Sequence, residues 1–252
     1  MLSSQVINSY LSASPTIEDT ELKSYWKFNE ASGDIINQSE SSVDLGSGAD
    51  IQITGATYGV TGNMHNAVSF DGSNDFGDCG TSTSQFNFLH NVNCLHTYAW
   101  WLKCNSTPYD GAELFCDNEQ EQPNIGNAIR MNGTSAVQNK ISYNGGYVAR
   151  YSSSGSYIIS SGWHMYVHSH DQTLASANGV FYQDGSAFGA TGNKENNNNT
   201  NDNATHPLRV MANNNDSQYF DGILEEVTIW NKIMSSDDVS TLYNGGSGLE
   251  IY

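Results

Sequence analysis

Short segments rich in strand-forming residues alternate along this chain with clusters of glycine, asparagine, serine and aspartate. Tyr25 to Phe28, Ala67 to Phe70 and the aromatic stretch His96 to Lys103 are three of these segments. β-branched and aromatic side chains favour strands, whereas the residues between them favour tight turns. A series of roughly twelve such segments predicts an all-β fold, a two-sheet antiparallel sandwich.

One short helix is predicted near the end of the sequence. Ser235 or Ser236 can cap it, Asp237 and Asp238 suit its positive first turn, and Gly245 lies where a terminating glycine is common. Its apolar residues recur at helical spacing, so we expect the helix to lie on a sheet edge. These residues are Val239, Leu242 and Tyr243.

Residues 1–23 are predicted to form an N-terminal arm, and residues 24–252 the sandwich domain. Within the arm, apolar residues at Val6, Ile7, Tyr10 and Leu11 fit a short amphipathic helix. The arm either packs on the edge of the domain or docks on a neighbouring protein. The asparagine-rich tract 192–203 is predicted to be an exposed loop, since strand-like segments lie on both sides.

The chain is strongly acidic, with 27 acidic against 9 basic residues and a formal net charge of −18. Such a surface repels nucleic acids and anionic membranes, so neither is an expected partner. Divalent cations, basic protein surfaces and neutral glycans remain acceptable partners. Maintenance of solubility is the explanation of the acidity that we favour.

Two features of the sequence bear on its location. No apolar run reaches the ~18 residues of a membrane helix, so membrane insertion is not expected. The first residues lack the basic and apolar regions of a secretory signal. We therefore expect a protein that is made in the cytoplasm and reaches a virion surface or the extracellular space without a signal peptide.

Five motifs, in this order along the chain, resemble those of laminin-G-like domains, which have a concanavalin-A-like jelly-roll fold and include pentraxin-like proteins. The motifs are Tyr25 to Glu30 before Ser32-Gly33, Ala67 to Gly72 with Asp75-Phe76, Gly162 to His164, Phe181 to Gly185, and Phe220 to Asn231 before the helix. The resemblance covers residues 24–248 and implies a jelly roll of two antiparallel sheets. Lectins, adhesion modules, enzyme appendages and virion proteins all use this fold, so the resemblance does not fix the function.

The chain departs from the family at two of these motifs. The family usually has two histidines after the tryptophan, whereas this chain has a single histidine there, His164, followed by Met165. The family usually has Ile-Asp-Glu-Val, whereas this chain has Leu224 to Val227, which reads Leu-Glu-Glu-Val. Both departures keep the strand pattern but alter residues that could be inherited metal ligands.

Aspartate-glycine turns follow two strand-like segments, at Phe70-Asp71-Gly72 and Phe220-Asp221-Gly222. Aspartate and glycine tolerate the backbone angles of tight hairpins, so turn formation explains the pattern. The functional alternative is a calcium site, because Ca²⁺ takes six to eight oxygen ligands and many laminin-G-like relatives bind one ion. Asp71, Asp75 and Asp221 are the candidate ligands.

Three histidines and a tyrosine alternate along one predicted strand, at His164, Tyr166, His168 and His170. Alternate residues of a strand share one face, and His-x-His on a strand can hold a transition metal. The interpretation that we favour is an exposed polar face without a metal.

The segment Asp117 to Glu121 places carboxylates at alternate positions, as some jelly-roll glycoside hydrolases do. Retaining hydrolysis needs two carboxylates roughly 5 Å apart. In this segment asparagine and glutamine stand between the acids and Pro123 follows, which favours a solvated loop. A catalytic site is therefore not predicted here.

Exposed aromatic side chains are the usual platforms for sugar rings. The candidates for such a ligand-binding platform are Trp100, Tyr147, Tyr151 and Tyr157, since the stretch from Tyr143 to Tyr157 combines tyrosine with glycine and serine. Ordinary packing at the edge of a sheet is the interpretation that we favour. The other tryptophans are predicted to lie mainly in the core: Trp26, Trp101, Trp163 and Trp230.

Four cysteines, none with CxxC spacing, argue against structural zinc. Cys104 and Cys116 flank a turn-like segment and could face each other across a hairpin. They could form a disulfide there or remain as two buried free thiols. Free thiols are the interpretation that we favour.

The sequence thus predicts a non-enzymatic binding module. The leading hypothesis is a virion surface component, such as a decoration, fibre or tail-tip protein. It would contact neighbouring particle proteins or copies of itself, and also host glycans. The alternatives are a cellular carbohydrate-binding lectin or adhesion domain and, third, a jelly-roll glycoside hydrolase.

Overall fold

The structure is a computed structural model that describes residues 16–17, 20–39, 45, 48–118, 124–143, 146–153, 162–174, 179–188, 190–194, 198 and 200–251. In these residues, sixteen strands form two eight-stranded sheets whose pairings are all antiparallel. This architecture confirms the predicted jelly-roll sandwich. In chain order the strands β1 to β16 are Leu22–Trp26, Ile51–Thr54, Thr57–Thr61, Asn66–Asp71, Phe76–Cys79, Leu95–Cys104, Glu113–Cys116, Gly126–Asn132, Ala136–Tyr143, Gly146–Ser153, His164–Asp171, Gly179–Gln183, Ser186–Phe188, Ala190–Lys194, Leu208–Val210 and Asp221–Trp230.

The first sheet has the strand order β13-β12-β11-β6-β16-β4-β3, and β1 also pairs with β16. The second sheet has the order β14-β10-β9-β8-β7-β15-β5-β2. The longest strands, β6 and β16, lie side by side in the middle of the first sheet. Loops at the ends of these two strands therefore meet at the ends of the sandwich.

The main hydrophobic core lies between the two sheets and is rich in aromatic residues. Trp100 of β6 packs edge-on against Phe115 of β7, with ring centroids 5.4 Å apart, and stacks on Tyr166 of β11. Trp26 is fully buried in the same core, where its indole N–H donates to the Ala49 carbonyl at 2.8 Å. Burial of large side chains from both sheets, at roughly 25 cal/mol per Å² of apolar surface, holds the sheets together.

A second apolar cluster covers the outer face of the first sheet. The helix α1, Ser236–Tyr243, packs its buried Val239 and Leu242 there, and Tyr243 stacks on Trp101 at 5.9 Å. The helix lies beside the turn between β12 and β13, since Gly185 of that turn approaches the Tyr243 ring. The helix thus reaches the predicted sheet edge but packs mainly on the sheet's outer face.

The predicted helix cap is confirmed at Ser235. Its hydroxyl accepts from the Asp238 N–H at 3.1 Å, while the Asp238 carboxylate accepts from the Ser235 N–H, which is a capping box. Asn244 ends the helix with a left-handed φ of 48°, and Gly245 follows with a φ of 62°. Asparagine and glycine are the residues that tolerate this conformation at helix ends.

A β-bulge interrupts β16 between Glu225 and Thr228. The half of β16 before the bulge pairs with β4, and the half after it pairs with β1, while β6 runs along the other edge. Glu226 is the extra residue of the bulge and has a left-handed φ of 52°, which is rare outside glycine and asparagine. The bulge therefore lies where one edge of β16 changes partner.

The structure corrects two predictions about segments. Leu22 and Lys23, predicted to end the N-terminal arm, belong to β1, and the amphipathic helix predicted around Val6 lies outside the described residues. Cys104 and Cys116 do not face each other across a hairpin, because β6 and β7 belong to different sheets. All four cysteines are buried, and none of them forms a disulfide.

No helix in the described part of the chain is long and apolar enough to cross a membrane.

Candidate functional site

The three aspartates predicted to bind calcium lie close together in the fold. Asp71 at the end of β4 is the register partner of Asp221 at the start of β16. The Asp75 carboxylate accepts from the Asp71 N–H at 2.9 Å, and the Asp71 carboxylate accepts from the Ser73 N–H at 2.8 Å. Burial raises the pKa of Asp75, and the hydrogen bond from Asp71 opposes this shift. These contacts hold the turn, and calcium binding at this site stays a prediction.

The structure describes part of the predicted aromatic platform. Trp100 is fully buried between the sheets, so its prediction as an exposed platform is wrong. Tyr147 is half-buried on β10, and the Lys140 ammonium lies 4.8 Å from its ring centroid. Tyr151 also lies on β10, opposite Asn139, whereas Tyr157 lies outside the described residues. Sugar binding by Tyr147 and Tyr151 stays a prediction.

Asp117, the first carboxylate of the segment tested for hydrolase character, is buried. It accepts from the Asn127 N–H and lies 3.6 Å from the ring nitrogen Nδ1 of His90. Although burial lowers the pKa of His90, the Asp117 carboxylate and the Asp202 carbonyl raise it above its ordinary value. Asp117 is thus in contact with groups of the fold itself, and Glu119 and Glu121 lie outside the described residues.

The histidines of β11 share one face, as predicted, but that face is not exposed. His168 and His170 point into the sandwich and are fully buried, together with His96 of β6. The His96 and His170 rings stack at 5.1 Å, and His168 lies 4.3 Å from the Phe181 ring. Burial, with the neighbouring histidines second, lowers the pKa of His96 and His168 well below 6.5. The predicted exposed polar face is therefore a buried histidine cluster.

An open pocket of about 480 Å³ lies at the end of the sandwich where β6 begins and β16 ends. We call it the asparagine pocket, because four of its eight lining residues are asparagines. Its lining residues are Phe88, Asn91, Val92, Asn93, Cys94, Leu95, Asn201 and Asn231. Seven of these eight side chains, all except the Cys94 thiol, are not ionisable.

Hydrogen bonds from the loop 200–203 hold one wall of the pocket. The Asn201 side chain accepts from the Val92 N–H at 3.2 Å, and the Asp202 carbonyl contacts the His90 ring at 3.2 Å. Asn203 accepts from the Asn87 side chain at 2.9 Å, next to the 3₁₀ turn Asn87–Leu89. The loop is thereby fixed against the segment that leads into β6.

Two asparagines of the pocket present amides that are available to a ligand. Asn93 is exposed and has a left-handed φ of 60°, a conformation that asparagine tolerates better than most residues. Asn231 follows β16, and its backbone N–H donates to the Glu21 carbonyl at 2.8 Å. Among the described residues, neither side-chain amide has a hydrogen-bond partner. Each amide can therefore donate and accept toward a bound molecule.

Apolar surface accompanies these amides. Val92 is 43% exposed, and Phe88 is partly buried against the core. Leu174 and Ile233 are also exposed, and they follow β11 and β16 at the same end of the sandwich. Uncharged amides can bind the hydroxyls of a neutral molecule, and the apolar surface beside them can pack against its C–H faces.

Sequence comparison places the chain in a known family. Residues 78–240, more than half of its 252 residues, match the laminin-G family of the concanavalin A-like lectin/glucanases superfamily. The chain belongs to this superfamily. The match confirms the resemblance that the five motifs indicated, and the two-sheet fold agrees with it.

Solved structures with the same fold include carbohydrate-binding domains. Domain 4 of AbnA, an extracellular GH43 arabinanase of Geobacillus stearothermophilus solved with arabinotriose, is 15% identical with a TM-score of 0.60; the match covers 87% of this chain and 97% of that domain. The binding domain of botulinum neurotoxin DC, solved with SialylT, is 12% identical with a TM-score of 0.58 over 90% of this chain. A Trypanosoma rangeli sialidase mutant displaying trans-sialidase activity is 13% identical, with a TM-score of 0.60 over 92% of this chain.

These similarities differ in extent. The match covers 52% of the botulinum binding domain and 34% of the sialidase, so the chain corresponds to one part of each. At such low identity the likeness shows the fold alone. No curated protein sequence matches the chain.

The asparagine pocket was missed by sequence reasoning. Its residues come from three separate segments, around Asn91, Asn201 and Asn231, and asparagine is common throughout the chain. The one local signal is the pair of asparagines in Asn91-Val92-Asn93, shortly before a long aromatic strand. From the sequence alone, these asparagines cannot be distinguished from those of an ordinary turn.

Proposed function

We propose that the chain is a non-enzymatic carbohydrate-binding module that holds a neutral sugar in the asparagine pocket. The observation that carries this proposal is the pocket itself, which the exposed Asn93, the partly buried Asn231 and the apolar Val92 all line. Its volume of about 480 Å³ lies within the roughly 300–1,000 Å³ range of ligand pockets. Membership of a lectin and glucanase superfamily supports the carbohydrate ligand.

The charge of the chain favours neutral over acidic glycans. A formal charge of −18 repels sialylated or sulfated sugars, whereas it has little effect on uncharged ones. The arabinanase domain, solved with the neutral arabinotriose, therefore suggests the better ligand chemistry. The proposal of a non-enzymatic role is supported by the burial and backbone hydrogen bond of Asp117, which suit a structural carboxylate.

Glycan-array screening, followed by calorimetry on the best neutral oligosaccharide, tests the proposal. Asn93→Gly removes an amide while keeping the left-handed backbone unstrained, and Asn231→Ala removes the second amide. We expect each variant to weaken binding roughly fivefold, because one neutral hydrogen bond contributes about 1 kcal/mol. The matched control is Asn105→Ala, which follows the opposite end of β6 and should bind like the wild type.

Two outcomes would contradict the proposal at different levels. Equal binding by the wild type, Asn93→Gly and Asn231→Ala would show that sugar binds elsewhere on the module. Absence of binding to every neutral glycan would refute carbohydrate binding itself.

We further propose that the module is displayed on the surface of a virus particle, where its N-terminal arm docks on a neighbouring particle protein. The acidic charge and the arm that precedes the sandwich domain support this setting. Co-purification with particles tests it. Because Leu22 belongs to β1 and Ile17 packs on the second apolar cluster, the deletion should remove residues 1–15 only. Continued attachment of the shortened chain would refute docking by the arm.

A further inference from the structure

A histidine and two glutamates converge at the bulge of β16. The His65 ring nitrogen Nε2 contacts the Glu250 carboxylate and lies 3.9 Å from Oε1 of Glu226. One ligand atom from each of these residues lies within 4.8 Å of the other two. In the described part of the chain, this is the one such group of three histidine, cysteine or carboxylate ligands. We call it the bulge cluster.

The Glu226 carboxylate shows that the bulge cluster is more than a surface ion pair. Glu226 is 6% exposed, and its Oε1 has no hydrogen-bond partner among the described residues. Its other oxygen, Oε2, accepts from the Tyr25 hydroxyl at 2.6 Å. A buried carboxylate oxygen without a hydrogen-bond partner destabilises the fold. Binding of a ligand, such as a cation, to Oε1 would remove that cost.

The backbone around the bulge cluster holds its ligands in place. The Glu225 carboxylate accepts from three successive N–H groups of the turn between β3 and β4, at Asn63, Met64 and His65, over 2.6 to 3.0 Å. Glu226 keeps its left-handed φ, which costs of order 1 kcal/mol, and its N–H donates to the Lys27 carbonyl at 3.2 Å. The turn that carries His65 and the strand that carries Glu226 are therefore fixed to each other.

The ligand set favours one class of ion. One imidazole nitrogen with two carboxylate oxygens is a three-ligand set of the kind that binds Zn²⁺ and leaves a fourth position open. Imidazole suits zinc and other transition metals, whereas Ca²⁺ takes six to eight oxygens. Lys27 lies 3.6 Å from Glu250 and offers no lone pair while protonated, so it can balance the acidic charge but not bind the ion.

We propose that the bulge cluster binds one Zn²⁺ ion through His65 Nε2, Glu226 Oε1 and a Glu250 carboxylate oxygen. Such an ion would join three segments that are distant in the sequence: the β3–β4 turn, the bulge of β16 and the segment after α1. The Tyr25 hydroxyl would orient the Glu226 carboxylate, as hydrogen-bonded partners of metal ligands commonly do.

Titration of the chelator-treated full chain with Zn²⁺ alone tests this proposal, with calorimetry giving affinity and elemental analysis giving stoichiometry. We expect one ion per chain. His65→Gln and Glu250→Gln change partly exposed side chains, so both variants should fold. Each should weaken binding by more than about a hundredfold, because loss of a residue that only orients a ligand already costs about 10–100-fold. Tyr25→Phe should weaken binding about tenfold.

His164→Gln is the matched control, since His164 also contacts a carboxylate, Asp184, at 2.7 Å but belongs to no group of three ligands among the described residues. This variant should bind Zn²⁺ like the wild type. Equal Zn²⁺ affinity in the wild type and His65→Gln would overturn the proposal, and so would an equal loss in His164→Gln. Binding of Ca²⁺ with no binding of Zn²⁺ would overturn it as well.

Discussion

The buried histidine cluster should make the stability of the protein depend on pH. His96 and His168 are fully buried, and burial holds the pKa of each well below its ordinary value of 6.5. The unfolded chain therefore binds protons at these residues as pH falls below 6.5, while the folded chain does not. The resulting stabilisation is complete above pH 6.5 and is lost as pH falls toward the folded-state pKa values.

The magnitude follows from the two residues. Each histidine that is protonated only in the unfolded state lowers the free energy of unfolding by about 1.4 kcal/mol per pH unit. Between pH 6.5 and 5.0, each should therefore remove about 2 kcal/mol, a large part of a typical stability of roughly 5–15 kcal/mol. A buried carboxylate has the opposite pH dependence. Burial raises the pKa of Glu226 to about 8, so the stability that this residue contributes is lost as pH rises. The comparison of a variant with the wild type cancels that opposing effect.

Urea denaturation of the wild type and His168→Leu at half-unit steps from pH 7.0 to 5.0 is the direct assay. We expect the slope of unfolding free energy against pH to be smaller in the variant by about 1.4 kcal/mol per unit. His206→Gln alters a histidine outside the cluster and should keep the wild-type slope. If His168→Leu also kept that slope, the histidine would not be held neutral in the fold, and the reasoning would be refuted.

Two further substitutions test the packing. A Cβ at Gly62 would lie 2.2 Å from the Glu225 carboxylate and 2.4 Å from the His65 carbonyl, so Gly62→Ala should lower the free energy of unfolding by about 2–4 kcal/mol. Gly133→Ala is the control, because a Cβ there meets no atom within 4 Å. It should lower the free energy of unfolding by only about 1 kcal/mol, through backbone strain. Equal losses in the two variants would show that the close approach at Gly62 is not what destabilises Gly62→Ala. Trp100→Leu should lower the free energy of unfolding, measured by thermal or urea denaturation, by about 3 kcal/mol and leave glycan affinity unchanged. Loss of glycan affinity in a variant that stays folded would show that Trp100 does act as a ligand platform.

The fold was predictable because its signals are local. Turn residues, strand-forming segments and the helix cap at Ser235 each act within a few residues. Burial of β6 was harder to predict, because both faces of this central strand are covered. Trp100 faces the other sheet and Trp101 faces the helix, so the apolar pattern does not distinguish inside from outside.

The sites were less predictable because they depend on distant segments. The histidine face of β11 looks polar in the sequence and is buried only because the other elements of the sandwich cover it. The bulge cluster joins His65, Glu226 and Glu250. More than a hundred residues of sequence lie between His65 and Glu226. The departure at Leu224 to Val227 marked the right segment, but the extra residue of the bulge is invisible without the strand pairing.

The bulge also changes the phase of β16. Leu224 lies in the inner core before it, and Val227 and Ile229 lie in the same core after it, although an odd number of positions separates Leu224 from Val227. In an uninterrupted strand this spacing would place them on opposite sides. The chain thereby keeps two adjacent acidic residues off the inner face at no loss of core packing. Deleting either one would restore a regular strand in which Leu224, Val227 and Ile229 still share the inner face. Loss of the bulge at the present length would instead turn every later residue of the strand to the opposite face.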